Sequence, residues 1–378
     1  MTSGGRPAIG VAILVESLRS GGAQRQITEL ALGLDREQFE PSVLVWEEGD
    51  FYTGVLREAG VEVVRHRRRH RLDPGPALTA ARWLRSGRVR VAHGFDSTGN
   101  VYAVLGRALA RRGVAVAAER SEERPLEGLS GLHKAWSHRH ATVTVANSHA
   151  GARFVRKLAG AGAWVEVIPN GVDLERFRVG EREPARDALG WPAEPRVLLT
   201  VATVSPVKNH LALAMALEGL KPMDGWEARW IGAHDGDYAE HVRRYVKRAG
   251  LSPMVHLHEP LPNVEDAYRA SDVVVLCSQH EGTPNAVLEA MASGRPVVAT
   301  AVGDASRYVE DGVTGWLAAS PDPASIRRAL SAALECTTEE LAAMGEKGRL
   351  RIEELSLDVA TMVRRHQDLY ERLATVTQ

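Results

Sequence analysis

Ser278-Gln-His-Glu281-Gly-Thr-Pro-Asn285-Ala-Val-Leu-Glu289-Ala-Met-Ala-Ser-Gly294-Arg-Pro296-Val-Val-Ala-Thr300 is the stretch from which the rest of the chain can be read. The apolar run Val273 to Leu276 before it reads as a buried strand. Gly282, Thr283 and Pro284 then break the chain, and Asn285 to Ser293 carries a helical pattern that stops at Gly294 and Pro296. Strand, tight loop, helix and strand follow in that order. Such a loop presents the main-chain N–H groups of Thr283, Asn285 and Ala286 at the positive end of a helix dipole, a place for an anion such as phosphate. Glu289 lies four residues past Asn285, one turn along the same face, where a carboxylate can accept both protons of a vicinal diol such as ribose. Glu281 lies on the other side of that phosphate. Most glutamates are solvated surface acids, but glycine and proline spaced for a turn favour a site that grips a sugar nucleotide.

Outward from this stretch, residues 9–175 alternate short Val- and Ile-rich runs with amphipathic stretches. A second series runs from Val197 to Ala301, with helices from 323 onward. That rhythm predicts parallel sheets flanked by helices, hence an α/β chain of two tandem Rossmann-like doubly wound domains facing a cleft. The expected boundaries are 1–175 for the first domain, 176–355 for the second and 356–378 for a terminal helix with apolar positions Leu357, Val359, Met362, Val363, Leu369, Tyr370 and Leu373. Pro169-Asn170-Gly171-Val172-Asp173 reads as a turn cluster, and the charged, proline-bearing stretch from Val179 to Pro195 reads as a linker.

At 378 residues and 44% hydrophobic, the chain is long enough for two cores. No run approaches the roughly 18 apolar residues of a membrane helix, and the first residues lack the apolar core of a signal peptide, so a cytoplasmic protein is expected. Cys277 and Cys336 are too few for a disulfide framework. Net charge is −1, with basic residues in excess over 1–175. Residues 65–71, Arg-His-Arg-Arg-Arg-His-Arg, suit either an anionic lipid or phosphorylated acceptor at the inner face of the membrane, or a solvated loop. Nucleic acid is not an expected partner, because no aromatics interleave these arginines.

Lys208, in Val204-Ser-Pro-Val-Lys208-Asn-His210, follows the first strand of the second series, where an ammonium suits a leaving diphosphate. Gly21-Gly22 follows the first strand of all and permits close backbone approach to a ligand. His93-Gly-Phe-Asp96 and Glu119-Arg120 each end a strand, making His93 and Arg120 acceptor-side candidates, although a histidine satisfied at a strand end is as common as a catalytic one. No dinucleotide fingerprint or P-loop occurs. His210, His258 and His280 form no zinc spacing with carboxylates, so neither metal nor cofactor is expected.

Those residues give the chain a resemblance, over nearly its full length, to the family 4 retaining glycosyltransferases of the GT-B fold. Glu281 and Glu289 match the family's glutamate pair. Gly21-Gly22-Ala23-Gln24-Arg25, Asn147-Ser148, Asn170-Gly171-Val172-Asp173 and Ser205-Pro206-Val207-Lys208 match further motifs in order. The resemblance implies that Glu289 binds the ribose, Glu281 a donor-sugar hydroxyl and Lys208 the diphosphate, while the Gly21-Gly22 loop closes over the phosphates. It also implies that Gly303-Asp304-Ala305 lies near the donor and that the terminal helix crosses back to the first domain. Ala202-Thr203-Val204 stands where the family often has Gly-Arg-Leu, so Thr203 replaces a phosphate-binding cation. Glu119-Arg120-Ser121 is similar to a Ser-Glu-Arg-Asn string in a branch that builds cell-surface polysaccharides.

The expected function is therefore transfer of a hexose or N-acetylhexosamine, with retention and without metal, from a nucleotide diphosphate sugar, UDP-linked by expectation, to a hydroxyl of a saccharide or lipid-linked acceptor. The alternatives are a nucleotide-sugar epimerase of the same shape and a catalytically inactive sugar-nucleotide-binding protein.

Overall fold

Val11, Ala12, Ile13 and Leu14 form an unbroken apolar run because the strand they make is covered on both faces, as parallel strands require. The computed structural model describes residues 7–70, 73–121, 128–221 and 223–376. It divides into two compact units, Met1–Gly171 with Val359–Gln378, and Val172–Asp358.

In unit 1 the strands are β1 (Ile9–Leu14), β2 (Phe39–Val45), β3 (Glu62–Arg65), β4 (Val91–Gly94), β5 (Val114–Glu119), β6 (Val143–Ala146) and β7 (Val165–Val167). Between them run α1 (Gly22–Gly33), α2 (Thr53–Glu58), α3 (Gly75–Ser86), α4 (Ser97–Ala110), α5 (Gly128–His140) and α6 (His149–Ala159). The sheet order is β3-β2-β1-β4-β5-β6-β7, with every pairing parallel. Odd positions of β1, Val11 and Ile13, pack with Val43, Val91 and Val116 on one face. Ala12 and Leu14 pack with Leu44, Ala92 and Ala115 on the other.

Unit 2 opens with α7 (Arg182–Leu189) and continues through β8 (Arg196–Val201), α8 (His210–Glu218), β9 (Trp226–Ile231), α9 (Gly236–Arg248), β10 (Val255–His258), α10 (Val264–Ala270) and β11 (Val273–Leu276). It is completed by α11 (Asn285–Ala292), β12 (Val297–Thr300), α12 (Ala305–Tyr308), β13 (Gly315–Ala318), α13 (Pro323–Glu335) and α14 (Thr338–Glu354). The order here is β10-β9-β8-β11-β12-β13, again parallel. The α/β class and the two parallel sheets are as the periodicity predicted.

Helix α15 (Val359–Val376) belongs to unit 1, where Met362, Val363, Leu369, Tyr370 and Leu373 join the cluster on β1. It begins later than residue 356. Ser356 adopts φ 52, and Leu357 packs in unit 2 with its carbonyl accepting from Val172 N at 2.8 Å. The unit boundaries thus fall at 171/172 and 358/359, beside the expected 175/176 and 355/356.

The stretch from Val179 to Pro195, expected as a linker, is instead organised around α7. Arg186 is 1% exposed and donates to Ala270 O at 2.9 Å, Pro192 O at 3.1 Å and Asp272 Oδ2 at 2.6 Å. Its charge reads as solvent-facing in sequence because the neutralising carboxylate comes from a residue far along the chain. Strand β13 was also not anticipated; a Cβ on Gly315 would lie 2.2 Å from Val297 O, so the close pairing with β12 needs glycine. The basic stretch at 65–71 is partly neutralised, since Arg65 pairs with Asp50 and Arg68 with Glu47; Arg71 lies outside the described residues. Among the described residues no helix is long and apolar enough to cross a membrane.

Asp272 accepts from Arg182 Nη1 at 2.6 Å, Arg186 Nη2 at 2.6 Å and Val197 N at 2.7 Å. Asp272→Ala strands a buried guanidinium and should cost about 3–5 kcal/mol, read as a lower urea midpoint with an unchanged slope.

Candidate functional site

Strand β11 delivers the chain to Ser278, after which Gln279 N donates to Val207 O at 2.8 Å and ties this loop to the one carrying Lys208. Glu281 Oε1 then receives two donors, Lys208 Nζ at 2.5 Å and Ser278 Oγ at 2.6 Å. Ser278 is itself fixed, its carbonyl accepting from Thr300 Oγ1 at 2.7 Å. Lys208 and Glu281 keep side-chain exposures of 31% and 12%, so the pair is reachable from solvent. Gly303 braces the loop from behind. At φ +60 it allows a close approach that a Cβ, 2.6 Å from both Glu281 O and Gly282 O, would forbid, while Asp304 N donates to Gly282 O at 3.1 Å.

Helix α11 starts at Pro284, whose carbonyl accepts from Val287 N at 3.0 Å and Leu288 N at 3.3 Å. Proline at the N-cap offers no side-chain acceptor, so the cap residue does not compete with a ligand for the first-turn amides of Asn285 and Ala286. One turn on, Glu289 is 4% exposed and its Oε2 accepts from Tyr268 OH at 2.7 Å. Tyr268 is fully buried edge-on to Phe177. Thr283 Oγ1 lies 3.2 Å from Tyr308 OH. Unit 2 therefore brings Lys208, Glu281, Gly282, Thr283, Pro284, Asn285, Ala286 and Glu289 into one neighbourhood of bonded loops and one helix start. Thr203, exposed just past β8, contributes no charge. His210, next to this loop, is buried against Trp230 with neither ring nitrogen bonded among the described residues, and burial, then Lys208, lowers its pKa to about 4.

The remaining sequence candidates belong to unit 1. Gly21 caps α1 with φ 170, ordinary extended backbone, and Gly22 is the helix's exposed first residue. His93 in β4 is fully buried, its Nδ1 2.7 Å from Tyr370 OH on α15 and its Nε2 unbonded. Burial, reinforced by the nearby His366 and Arg120, holds its pKa well below the usual value, so the ring is neutral. Arg120 donates to Asn170 Oδ1 at 2.8 Å and stacks over Phe95, and burial brings its pKa down to about 10. Around His93, Arg120, Asn170 and His366 lies a cavity of about 10 Å³, the room of one water. Glu119, by contrast, is consumed by Lys134, 2.8 Å from Oε2, and by Ser121.

Sequence reasoning missed Tyr268, Ser278, Tyr308, His366 and the role of Tyr370. Ser278 alone left a signal, three residues before Glu281; each of the others comes from an element distant in sequence from the residue it contacts. Among the described residues, no group of three or more His, Cys, Asp or Glu is placed to hold a metal ion.

Two family models match the chain, "Glycosyltransferase Family 4" over residues 20–176 and "Glycosyl transferases group 1" over residues 181–351. D-inositol 3-phosphate glycosyltransferase 2 of Catenulispora acidiphila is 33% identical over 213 residues, 53% of this chain and 50% of that protein. The D-inositol 3-phosphate glycosyltransferase of Frankia alni is 39% identical over 170 residues, 42% of each chain. The chain thus spans about half the length, or less, of these curated relatives. Among solved structures, Anabaena HepE in complex with UDP-glucose superposes with a TM-score of 0.83 at 22% identity, covering 96% of this chain and 100% of that one. Sucrose-phosphate synthase from Thermosynechococcus elongatus gives 0.82 at 17% identity, covering 97% and 100%. Both likenesses are of fold.

Burial lowers the pKa of His210 and His366 to about 4 and that of His93 well below 6.5. Between about pH 4 and 6.5 the unfolded chain binds protons that the folded chain refuses, so stability should fall as pH falls, by about 1.4 kcal/mol per unit per histidine. Below about pH 4 folded His210 and His366 protonate too and their share of the slope fades. Urea midpoints at about pH 7.5 and about pH 5 should show this loss, and His366→Gln should lessen it.

Proposed function

Since this chain belongs to glycosyltransferase family 4, we propose that it moves a hexose or N-acetylhexosamine from a nucleotide diphosphate sugar to a hydroxyl of a saccharide or lipid-linked acceptor, with retention at the anomeric carbon. The observation that carries the donor half of this reading is Lys208 Nζ 2.5 Å from Glu281 Oε1, just before the start of α11, where the N-cap residue is a proline. An ammonium and main-chain amides together meet a diphosphate, and their charge grows in value as the leaving group gains negative charge. Glu289, oriented by Tyr268, is assigned the ribose hydroxyls, and Glu281 a donor-sugar hydroxyl. With no arginine at Thr203, the diphosphate leans on Lys208 and the helix start.

In the proposed step the bond from the anomeric carbon to the phosphate oxygen breaks while the acceptor oxygen bonds to the same face. The acceptor's proton passes to the leaving phosphate oxygen. No side chain is needed as nucleophile; the residues position and stabilise charge. We assign the acceptor to unit 1, with Arg120 as its cationic contact and His93 as a neutral ring fixed by Tyr370. The Gly21-Gly22 turn is proposed to let backbone approach the phosphates. A UDP-linked donor is supported by the complexes of HepE with UDP and UDP-glucose, and a hydroxyl acceptor by the names of the curated relatives.

Lys208→Ala and Glu281→Ala should each lower kcat/KM by on the order of 10²-fold. Glu289→Ala should act mainly by weakening UDP binding, measured by calorimetry. Full turnover in both of the first two variants, with any donor the wild type uses, would overturn the assignment.

A further inference from the structure

Helix α11 has a second end. Where it stops, Gly294, Arg295 and Pro296 line a pocket of about 200 Å³ in unit 2, with Arg182 of α7, Asp272 and the first turn of α14 as its other walls. Asp272 and Pro296 immediately precede β11 and β12. The pocket therefore lies at the amino ends of these strands, whereas the donor loop follows their carboxyl ends.

The charge balance inside it is uneven. Asp272 is 6% exposed and both of its oxygens are engaged, Oδ1 by Arg182 and Oδ2 by Arg186 and Val197 N, so it has little charge left to offer. Glu183 meets Arg182 at 3.1 Å, but its side chain is 65% exposed, and such a surface pair contributes little. Arg295 has no carboxylate within ion-pair distance among the described residues. Its Nη2 donates to Gly180 O at 2.8 Å and Arg269 O at 2.7 Å, and its Nε is sealed from solvent without an acceptor. Burial lowers its pKa to about 10, which leaves it a cation at neutral pH. Asp272 and Glu183 act on this largely buried cation only from beyond ion-pair distance, so it is under-compensated, and an anion entering the pocket would relieve that cost.

We propose that this pocket binds a small phosphate-class anion, held by the guanidinium groups of Arg295 and Arg182 and by the hydroxyl of Thr338. A tetrahedral oxyanion offers acceptors in several directions at once, so it can meet cations from two walls, with Arg182 exchanging its exposed contact to Glu183 for the anion. Leu341 and Ala342 close the remaining side without polar demands of their own. The site is separate from the donor loop and needs none of its residues.

The test is inorganic phosphate added to the full chain at fixed ionic strength, with chloride and acetate as controls, read by thermal unfolding and calorimetry. The variants are Lys208→Ala at the donor loop, Arg295→Gln, and Ala342→Glu, which places a carboxylate in the pocket from an exposed position. Phosphate should raise Tm in the wild type and in Lys208→Ala, while Arg295→Gln and Ala342→Glu should bind it at least tenfold more weakly. Three results would overturn the proposal: no phosphate-specific shift in the wild type, an equal shift with acetate, or a shift that vanishes in Lys208→Ala and persists in Ala342→Glu.

Discussion

A parallel sheet buried on both faces leaves polar chemistry only its strand ends, and that constraint organises both units. Val11 through Leu14 in β1 and Val273 through Leu276 in β11 have no face to spare for a ligand. Polar groups gather near strand ends, at His93 in β4 and Glu119 and Arg120 at the end of β5 in unit 1, and at Ser278 and Glu281 beyond β11 in unit 2. In unit 2 a helix starts close by, and the first-turn amides of a helix have no partner within the helix itself. Short loops at such points are not accidental gaps in regular structure; they are the places where the fold can meet an anion without paying for a buried, unpaired charge.

The donor loop shows how rigidity is built there from neutral parts. Lys208 and Glu281 come from different strand ends, but the Gln279 to Val207 backbone bond, the Ser278 hydroxyl and the close packing of Gly303 fix their approach. Because the pair is partly exposed, its own electrostatic contribution to stability is modest. In the proposed reading its value lies in holding an ammonium and a carboxylate in place before the donor arrives.

Strand periodicity and the stretch around Glu281 and Glu289 were legible because they rest on local rules: burial on two faces, a turn of glycine and proline, and helical spacing. What escaped was set by partners far away in sequence. Helix α7 looked like a linker because Arg186 and its neighbours are charged, and only Asp272 makes burial of that charge tolerable. Tyr268 gives no sign that it holds Glu289, since nothing in residues 264–270 marks one tyrosine as facing another helix's carboxylate. His93 read equally well as a reactive group or a packed one; its full burial and its bond to Tyr370 depend on a helix 277 residues onward.

That same helix has a consequence for how the chain is made. Unit 1 is not continuous: residues up to Gly171 form its sheet, but α15 supplies Met362, Leu369, Tyr370 and Leu373 to the same apolar cluster. During synthesis the first sheet must wait, one flank covered only in part by α1 and α2, while unit 2 emerges and can fold. Domains otherwise tend to fold in the order they leave the ribosome. Here the later-made domain is the one able to finish first, and the earlier one spends the interval dependent on whatever shields β1 until its last helix arrives.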